Sequence, residues 1–307
     1  MGVMIEGVFH VEDPGPDTNE GGAFKRAAAT IRHDVPDPPW SAGRFHLYAA
    51  WNCPWAHRVL LVRALKKLER FITVAYARPR RTEQGWVYDP DGEYADDLFG
   101  IHGLHEAYAK SPDPYTGRLT VPLLWDRETN APVSNESADL VRVFGKSGEG
   151  PDLYPDDLTD QIDDWNARIY PKLNNGVYRA GFSRTQEAYE AGYRDVFETL
   201  EQIEEQLGKT RYLCGDRFTE ADLRLFPTLV RFDVAYHGAF KCNKMRIIDY
   251  PNLWAYAREV FQMTGVAETV RFDVYKQGYY SPSPLRNPLG IVPLGPDIDW
   301  TVPHGRA

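Results

Sequence analysis

Residues 44–77 leave few choices of fold. "RFHLYAA" is rich in aromatic and aliphatic residues and reads as a strand, and "FITVAYA" reads as a second one. Between them "PWAHRVLLVRALKKLE" sets Val59, Leu60, Val62, Leu65 and Leu68 along one broad helical face. Pro54 stands at the first helical position, where its missing N–H costs nothing. Strand, helix and strand in this span make a βαβ unit with parallel strands. The residue before that proline is Cys53, so a thiol opens the helix. Unpaired N–H groups and about half a positive charge gather there, and both favour a thiolate.

The third residue after this cysteine decides what the thiolate can do. A Cys-x-x-Cys motif would let a second thiol resolve the first, but residue 56 is alanine. Any disulfide made by Cys53 must therefore be with an external thiol. Only Cys214 and Cys242 accompany it in 307 residues, too far apart for a disulfide framework or a zinc cluster, which points to a reducing cytoplasm. No phosphate loop, dinucleotide fingerprint or HExxH metal pair occurs, and no metal is expected. The net charge of -9, with no long basic run, argues against nucleic acid and anionic membrane as partners. The first residues carry acids where a signal peptide has basic ones, and no run is apolar enough to span a bilayer.

The pattern changes along the chain. Residues 1–43, with "HVEDPGPDTNEGG" and "VPDPPW", read as an irregular extension on the surface. Residues 44–148 form the α/β part, with a long insertion at 78–118 that contains a helix around "DDLFGIHGLHEAYAK". "RLTVPLLWD" reads as a strand interrupted by Pro122, "APVSN" as another, and "ESADLVRVFG" as a helix. From residue 157 to 307 the pattern is helical: "LTDQIDDWNARIYPKLNNGVYRAG", "RTQEAYEAGYRDVFETLEQIEEQLG", "TEADLRLFPTLVRFDVAYHGAF" and "NLWAYAREVFQMTG". The tail from Asp273, rich in proline and aromatics, reads as extended. The fold class is α/β plus all-α, a thioredoxin-like domain followed by a helical one.

Three further stretches bear on chemistry. In a thioredoxin-like layout Pro122 of "TVP" takes a cis bond beside the cysteine, and Val121 offers its backbone to an extended thiol peptide, whereas an ordinary edge-strand proline would do neither. In "SNESADL", Ser134 or Asn135 can cap a helix whose first turn holds Glu136 and Ser137, a place suited to the carboxylate and ammonium of a γ-glutamyl group. "TEADLRLF" has the same look but reads as structure, with Thr219 and Asp222 forming a capping box. Cys214 and Cys242 read as packing residues.

These pieces, followed by an all-helical domain, resemble the glutathione transferase superfamily. "CPWAHR", "GW" at 85–86, "GRLTVPLLWD", "NESADLVR", "NNGVYRAGF", "TEADLRLF", "FKCN", "DYPNL" and "YY" before "NPLGIVPLGP" are similar to the glutathionyl-hydroquinone reductases, the xi class, across residues 43–296. The resemblance implies reduction of S-glutathionyl-hydroquinones, with glutathione as co-substrate and oxidised to its disulfide. Cys53 would be the nucleophile. Trp86, Arg118, Val121, Glu136 and Ser137 would hold the glutathionyl group. Tyr178 and a tyrosine of "GYY", Tyr279 with Tyr280 as the other choice, would line the aromatic pocket. The class also implies a homodimer. Trp51 and Asn52 are bulkier and more polar than the small residues expected before the cysteine.

Two other readings stay open on the sequence alone. An omega-like thioltransferase would use the same thiol without tyrosines, and a non-catalytic relative of the fold would use neither. The Glu136 and Ser137 site reads a γ-glutamyl end, so γ-glutamylcysteine would serve as well as glutathione.

Overall fold

A computed structural model describes residues 2–12 and 18–306 of the chain. The "DPGPD" stretch of the leader lies outside the described residues. The chain forms two compact units: one combines Ala27–Gly150 with residues up to 12, the other combines residues 18–26 with residues 151–306. The leader is therefore shared between them, where the sequence pattern keeps residues 1–43 as one segment.

The first unit is built on a four-stranded sheet. The leader opens it with two short strands, β1 (Val3–Ile5) and β2 (Val8–His10), then come β3 (Phe45–Ala49), helix α1 (Pro54–Leu65) and β4 (Ile72–Tyr76). Helix α2 (Leu104–Ala109), strands β5 (Gly117–Arg118), β6 (Leu123–Asp126) and β7 (Ala131–Ser134), and helix α3 (Ser137–Gly145) complete it. The sheet order is β4-β3-β6-β7, with β3 parallel to β4 and the other pairs antiparallel. Strand β3 is central and buried on both faces. That explains its near-continuous apolar run.

Four expectations for this unit change. The leader is not wholly irregular, because β1 pairs with β2 and with β5 in a small separate sheet. The stretch expected as one strand through Pro122 is split, β5 joining that small sheet and β6 the main one. The cis Val121–Pro122 bond lies between them. Helix α1 ends at Leu65, and Lys67 takes a left-handed φ of 52°. It is also buried almost all round, Leu61 and His57 included, so its apolar residues do not form a single stripe. Within the insertion, the helix covers only 104–109. The Asp96 carboxylate accepts the N–H groups of Leu98, Phe99 and Ile101, which holds the preceding residues in a turn.

Trp40 of the leader anchors this unit, with edge-to-face contacts to Phe45 at 5.3 Å and Phe144 at 5.7 Å. Each such pair adds about 1 kcal/mol beyond the area it buries.

The second unit is helical. It runs through α4 (Thr159–Ile169), α5 (Gly176–Gly181), α6 (Gln186–Leu207), α7 (Glu220–Arg231), the single turn α8 (His237–Ala239), α9 (Pro251–Phe261) and α10 (Phe272–Tyr279). Two wide π turns interrupt the pattern, Tyr170–Asn174 and Phe232–Tyr236. Pro171 supplies the cause of the first, since it has no N–H for the ladder and its ring displaces the preceding carbonyl. The segment expected as one helix over 158–181 is therefore two. The tail is helical through residue 279, where an extended course was expected, because Tyr275 and Tyr279 fall one turn apart on a packed face. Thr219 and Asp222 form the anticipated capping box at the start of α7, with Asp222 Oδ2 accepting the Thr219 N–H at 2.9 Å. Among the described residues no helix is long and apolar enough to cross a membrane.

Candidate active site

In the first unit the chemistry gathers at the N-terminus of α1. Cys53 is the N-cap residue, extended at φ -85° and ψ 116°, and Pro54 follows as the first helical residue. The Cys53 carbonyl accepts the His57 N–H at 3.0 Å, and its own N–H donates to Ala50 at 3.0 Å. These bonds fix the backbone beneath the sulfur. The thiol donates to the Val121 carbonyl at 3.3 Å, and only 8% of the residue is exposed. Cys53 and Val121, 68 residues apart, thus meet directly.

The two bulky residues before the cysteine are occupied in packing. The Trp51 ring stacks on Tyr76 at 4.0 Å, nearly parallel, and Asn52 Nδ2 donates to the Pro79 carbonyl at 3.0 Å. Both side chains therefore act on β4 and its exit.

A hydrogen-bonded chain joins the Val121 loop to the start of α3. The Tyr108 hydroxyl donates to the Thr120 carbonyl at 2.8 Å, and Asn135 Nδ2 donates to that hydroxyl at 3.2 Å. Asn135 also accepts the leader's Ile31 N–H at 3.2 Å. Burial keeps the Tyr108 phenol well above its usual range, so it stays a donor. Glu136 is itself the N-cap of α3, its carboxylate accepting the Ala138 N–H at 2.9 Å. That corrects the expectation of Ser134 or Asn135 as cap: the Ser134 hydroxyl accepts the Glu136 N–H at 3.0 Å, and Asn135 is committed to Tyr108. Ser137 begins the helix and is buried.

Trp86 is buried in the insertion, with the Arg81 guanidinium 4.0 Å over its ring. Arg118 lies in β5, and its carbonyl accepts the Tyr115 hydroxyl at 2.8 Å.

The second unit holds a cluster of hydroxyls. Tyr178 on α5 and Tyr279 on α10 bring their oxygens to 2.8 Å, and Tyr236, from the second π turn, lies 3.0 Å from Tyr279. The Phe240 ring packs against all three rings at 5.2–5.5 Å. Tyr280 is turned away toward Gly238, where an added Cβ would lie 2.2 Å from its hydroxyl. Of the two tyrosines left open by the sequence, Tyr279 joins the cluster. Tyr236 was missed, because a tyrosine inside a helical pattern carries no signal that separates it from core packing.

Burial, then the neighbouring phenols, hold Tyr236 and Tyr279 well above the ordinary phenol range, although the buried Arg231 opposes the shift. Both stay protonated near neutral pH. With the Tyr178 hydroxyl the cluster gathers three phenolic protons in one hydrogen-bonded group. Each phenol can act as donor or acceptor within that group. Cys214 and Cys242 are buried, and burial raises their thiols to about 11 and about 12, so neither competes as a thiolate.

Residues 52–147 match the family model described as the glutathione S-transferase N-terminal domain, and residues 186–259 match that of the C-terminal domain. The chain is 43% identical to the Escherichia coli glutathionyl-hydroquinone reductase YqjG, covering 100% of this chain and 98% of that protein. It is 45% identical to the Sphingobium chlorophenolicum glutathionyl-hydroquinone reductase PcpF, with 96% of each covered. The glutathione-bound structure of YqjG superposes with a TM-score of 0.85 at 41% identity, over 98% of each chain. A xi-class transferase from Natrialba magadii gives 0.88 at 39% identity, over 99% of this chain and 96% of that one.

Proposed function

The chain belongs to the glutathione S-transferase family, in the xi-class branch of glutathionyl-hydroquinone reductases, and from that premise we propose that it reduces S-glutathionyl-hydroquinones to hydroquinones with glutathione as reductant. The observation that carries the reading is the coexistence of a resolving-partner-free Cys53 at a helix start with three hydrogen-bonded tyrosine hydroxyls.

The Cys53 thiolate attacks the sulfur of the glutathionyl adduct, forming an S–S bond as the sulfur–ring bond breaks. The electron pair released to the ring needs a proton at the ring carbon, and the ring oxygens need donors while it moves. The phenolic hydroxyls of the Tyr178, Tyr236 and Tyr279 cluster fit the donor role. A second glutathione thiolate then attacks the mixed disulfide, releases glutathione disulfide and restores Cys53. The balance is one adduct and one glutathione in, one hydroquinone and one disulfide out. Kinetics are ping-pong.

Carried over from the resemblance, the Val121 backbone would pair with the cysteinyl part of glutathione, and Glu136 and Ser137 would receive the γ-glutamyl end, with Trp86 and Arg118 completing the hold. The Val121 carbonyl accepts from the Cys53 thiol, a bond that loss of the thiol proton would free. Glu136, as N-cap, keeps one carboxylate oxygen on its own helix and offers the other to an ammonium. γ-Glutamylcysteine presents the same end and is an equivalent ligand. The working protein is a cytoplasmic homodimer.

The test is turnover of a methylated S-glutathionyl-hydroquinone with glutathione, read by chromatography of the released hydroquinone. Release that needs both Cys53 and the tyrosine hydroxyls is expected. Turnover confined to simple mixed disulfides would instead make the protein an omega-like thioltransferase, and no turnover of either would leave the non-catalytic reading.

A further inference from the structure

The leader reaches the tyrosine cluster of the helical unit. Residues 18–26 make a tight hairpin, with a bridge between Thr18 and Phe24 and the Gly22 N–H on the Asn19 carbonyl at 2.9 Å. Two bonds fasten it where α5 gives way to α6. The Arg184 N–H donates to the Gly22 carbonyl at 2.9 Å, and the Thr185 hydroxyl donates to the Gly21 carbonyl at 2.9 Å. Gly22 holds a φ of 76°, and a Cβ there would lie 2.8 Å from the Thr185 methyl, so the seat admits glycine alone. Phe24 then meets Phe182 at 5.3 Å.

The hairpin delivers Arg26. Its Nε donates to Asn175 Oδ1 at 2.8 Å, and its guanidinium carbon sits 4.7 Å over the centre of the Tyr178 ring. Asn175 closes the first π turn immediately before α5, which carries Tyr178. One side chain thus clamps both the origin of that helix and the face of its phenol. A cation on the ring face also withdraws electron density from the phenol, which strengthens its hydroxyl as a donor.

We propose that Arg26 is a positioning residue for the hydroquinone step, acting through Tyr178. The inference rests on the reductase reading and adds to it that the leader is part of the proton-donating apparatus. The leader would matter to the ring and not to the disulfide exchange, because the second glutathione's attack on the Cys53 mixed disulfide uses no phenol.

The experiment compares Arg26→Gln and Arg26→Lys, each with Tyr178 intact and in a Tyr178→Phe background, on two substrates: a methylated S-glutathionyl-hydroquinone and a simple glutathione mixed disulfide. Arg26→Gln is expected to lower kcat for the hydroquinone adduct about tenfold, with KM changed by less than about twofold. Arg26→Lys, which keeps the charge, should lose only about threefold. Turnover of the mixed disulfide should hold, which also shows that the variants fold. In the Tyr178→Phe background the Arg26 effect should vanish. An unchanged kcat, an equal loss on both substrates, or a loss that persists without the Tyr178 hydroxyl would each overturn the proposal. If the parent turns over disulfides but releases no hydroquinone, the reductase reading fails and the proposal falls with it, an outcome distinct from a parent that releases hydroquinone with no Arg26 effect.

Discussion

The thiol centre of the α/β unit and the hydroxyl cluster of the helical unit are assembled in opposite ways. Cys53 owes its setting to neighbours in sequence: Pro54 starts the helix, His57 takes the Cys53 carbonyl, and Ala56 removes a local resolving thiol. The Val121 carbonyl comes from afar. The tyrosines come from a short helix, a π turn and the final helix, with 101 residues between Tyr178 and Tyr279 and 43 between Tyr236 and Tyr279. Chemistry that needs one nucleophilic atom can be written into a helix start. Chemistry that needs a shared proton among three oxygens needs a packed fold.

That contrast can be broken by substitution. The largest effect should be that of Cys53→Ala, a loss on the order of 1,000-fold or more on both hydroquinone adducts and mixed disulfides, because both need the nucleophile. Residual reduction of either substrate above the uncatalysed rate would show that another thiol serves. Tyr279→Phe removes the oxygen that meets both the Tyr178 and the Tyr236 hydroxyls and should cost about 100-fold in kcat on the hydroquinone adduct alone. An equal cost on mixed disulfides would mean that the cluster is structural.

Stability sharpens the same comparison. Asp222 is buried and accepts from the Leu213 N–H, the Thr219 N–H and hydroxyl, and the Tyr256 hydroxyl, so Asp222→Ala strands several donors and should cost about 3 kcal/mol in urea unfolding. A cost under 1 kcal/mol would show that water replaces it.

The smallest effects are pH-dependent and differ in sign. In the helical unit, burial lifts the Asp233 carboxyl to about 6 against bonds from the Ile247 and Ile248 N–H groups. Its folded pKa lies above the unfolded value, so stability should fall by about 1 to 2 kcal/mol as pH rises from about 4 to about 6. Asp233→Asn should flatten that slope. In the α/β unit, burial raises Asp96 but bonds from His46 and the Leu98, Phe99 and Ile101 N–H groups outweigh it, bringing the carboxyl to about 2. Its contribution is present above about 4 and is lost as pH falls toward 2. A slope that survives Asp233→Asn between pH 4 and 6 would place the titration elsewhere.

Much of the fold was legible because its signals act over one to four residues. The βαβ alternation, Pro54 at the helix start and the Thr219–Asp222 box are of this kind. Helix α1 was legible in place but not in burial, since it is enclosed nearly all round and amphipathic spacing then carries little information. The short β1 and β2 strands could not be read, because they exist only by pairing with each other and with β5, over 100 residues away.

The sequence by itself determined that a lone thiol would open a helix, that it could not resolve itself, and that an α/β part would precede a helical one. Only the tertiary structure decided that Tyr279 and not Tyr280 meets Tyr178, that Tyr236 joins them, and that the leader divides between the two units and sets Arg26 on the Tyr178 ring. The reason is one of range. Caps and helical spacing are fixed by the chain's own repeat, whereas which hydroxyl turns toward which ring depends on side chains that become neighbours only when the helices pack.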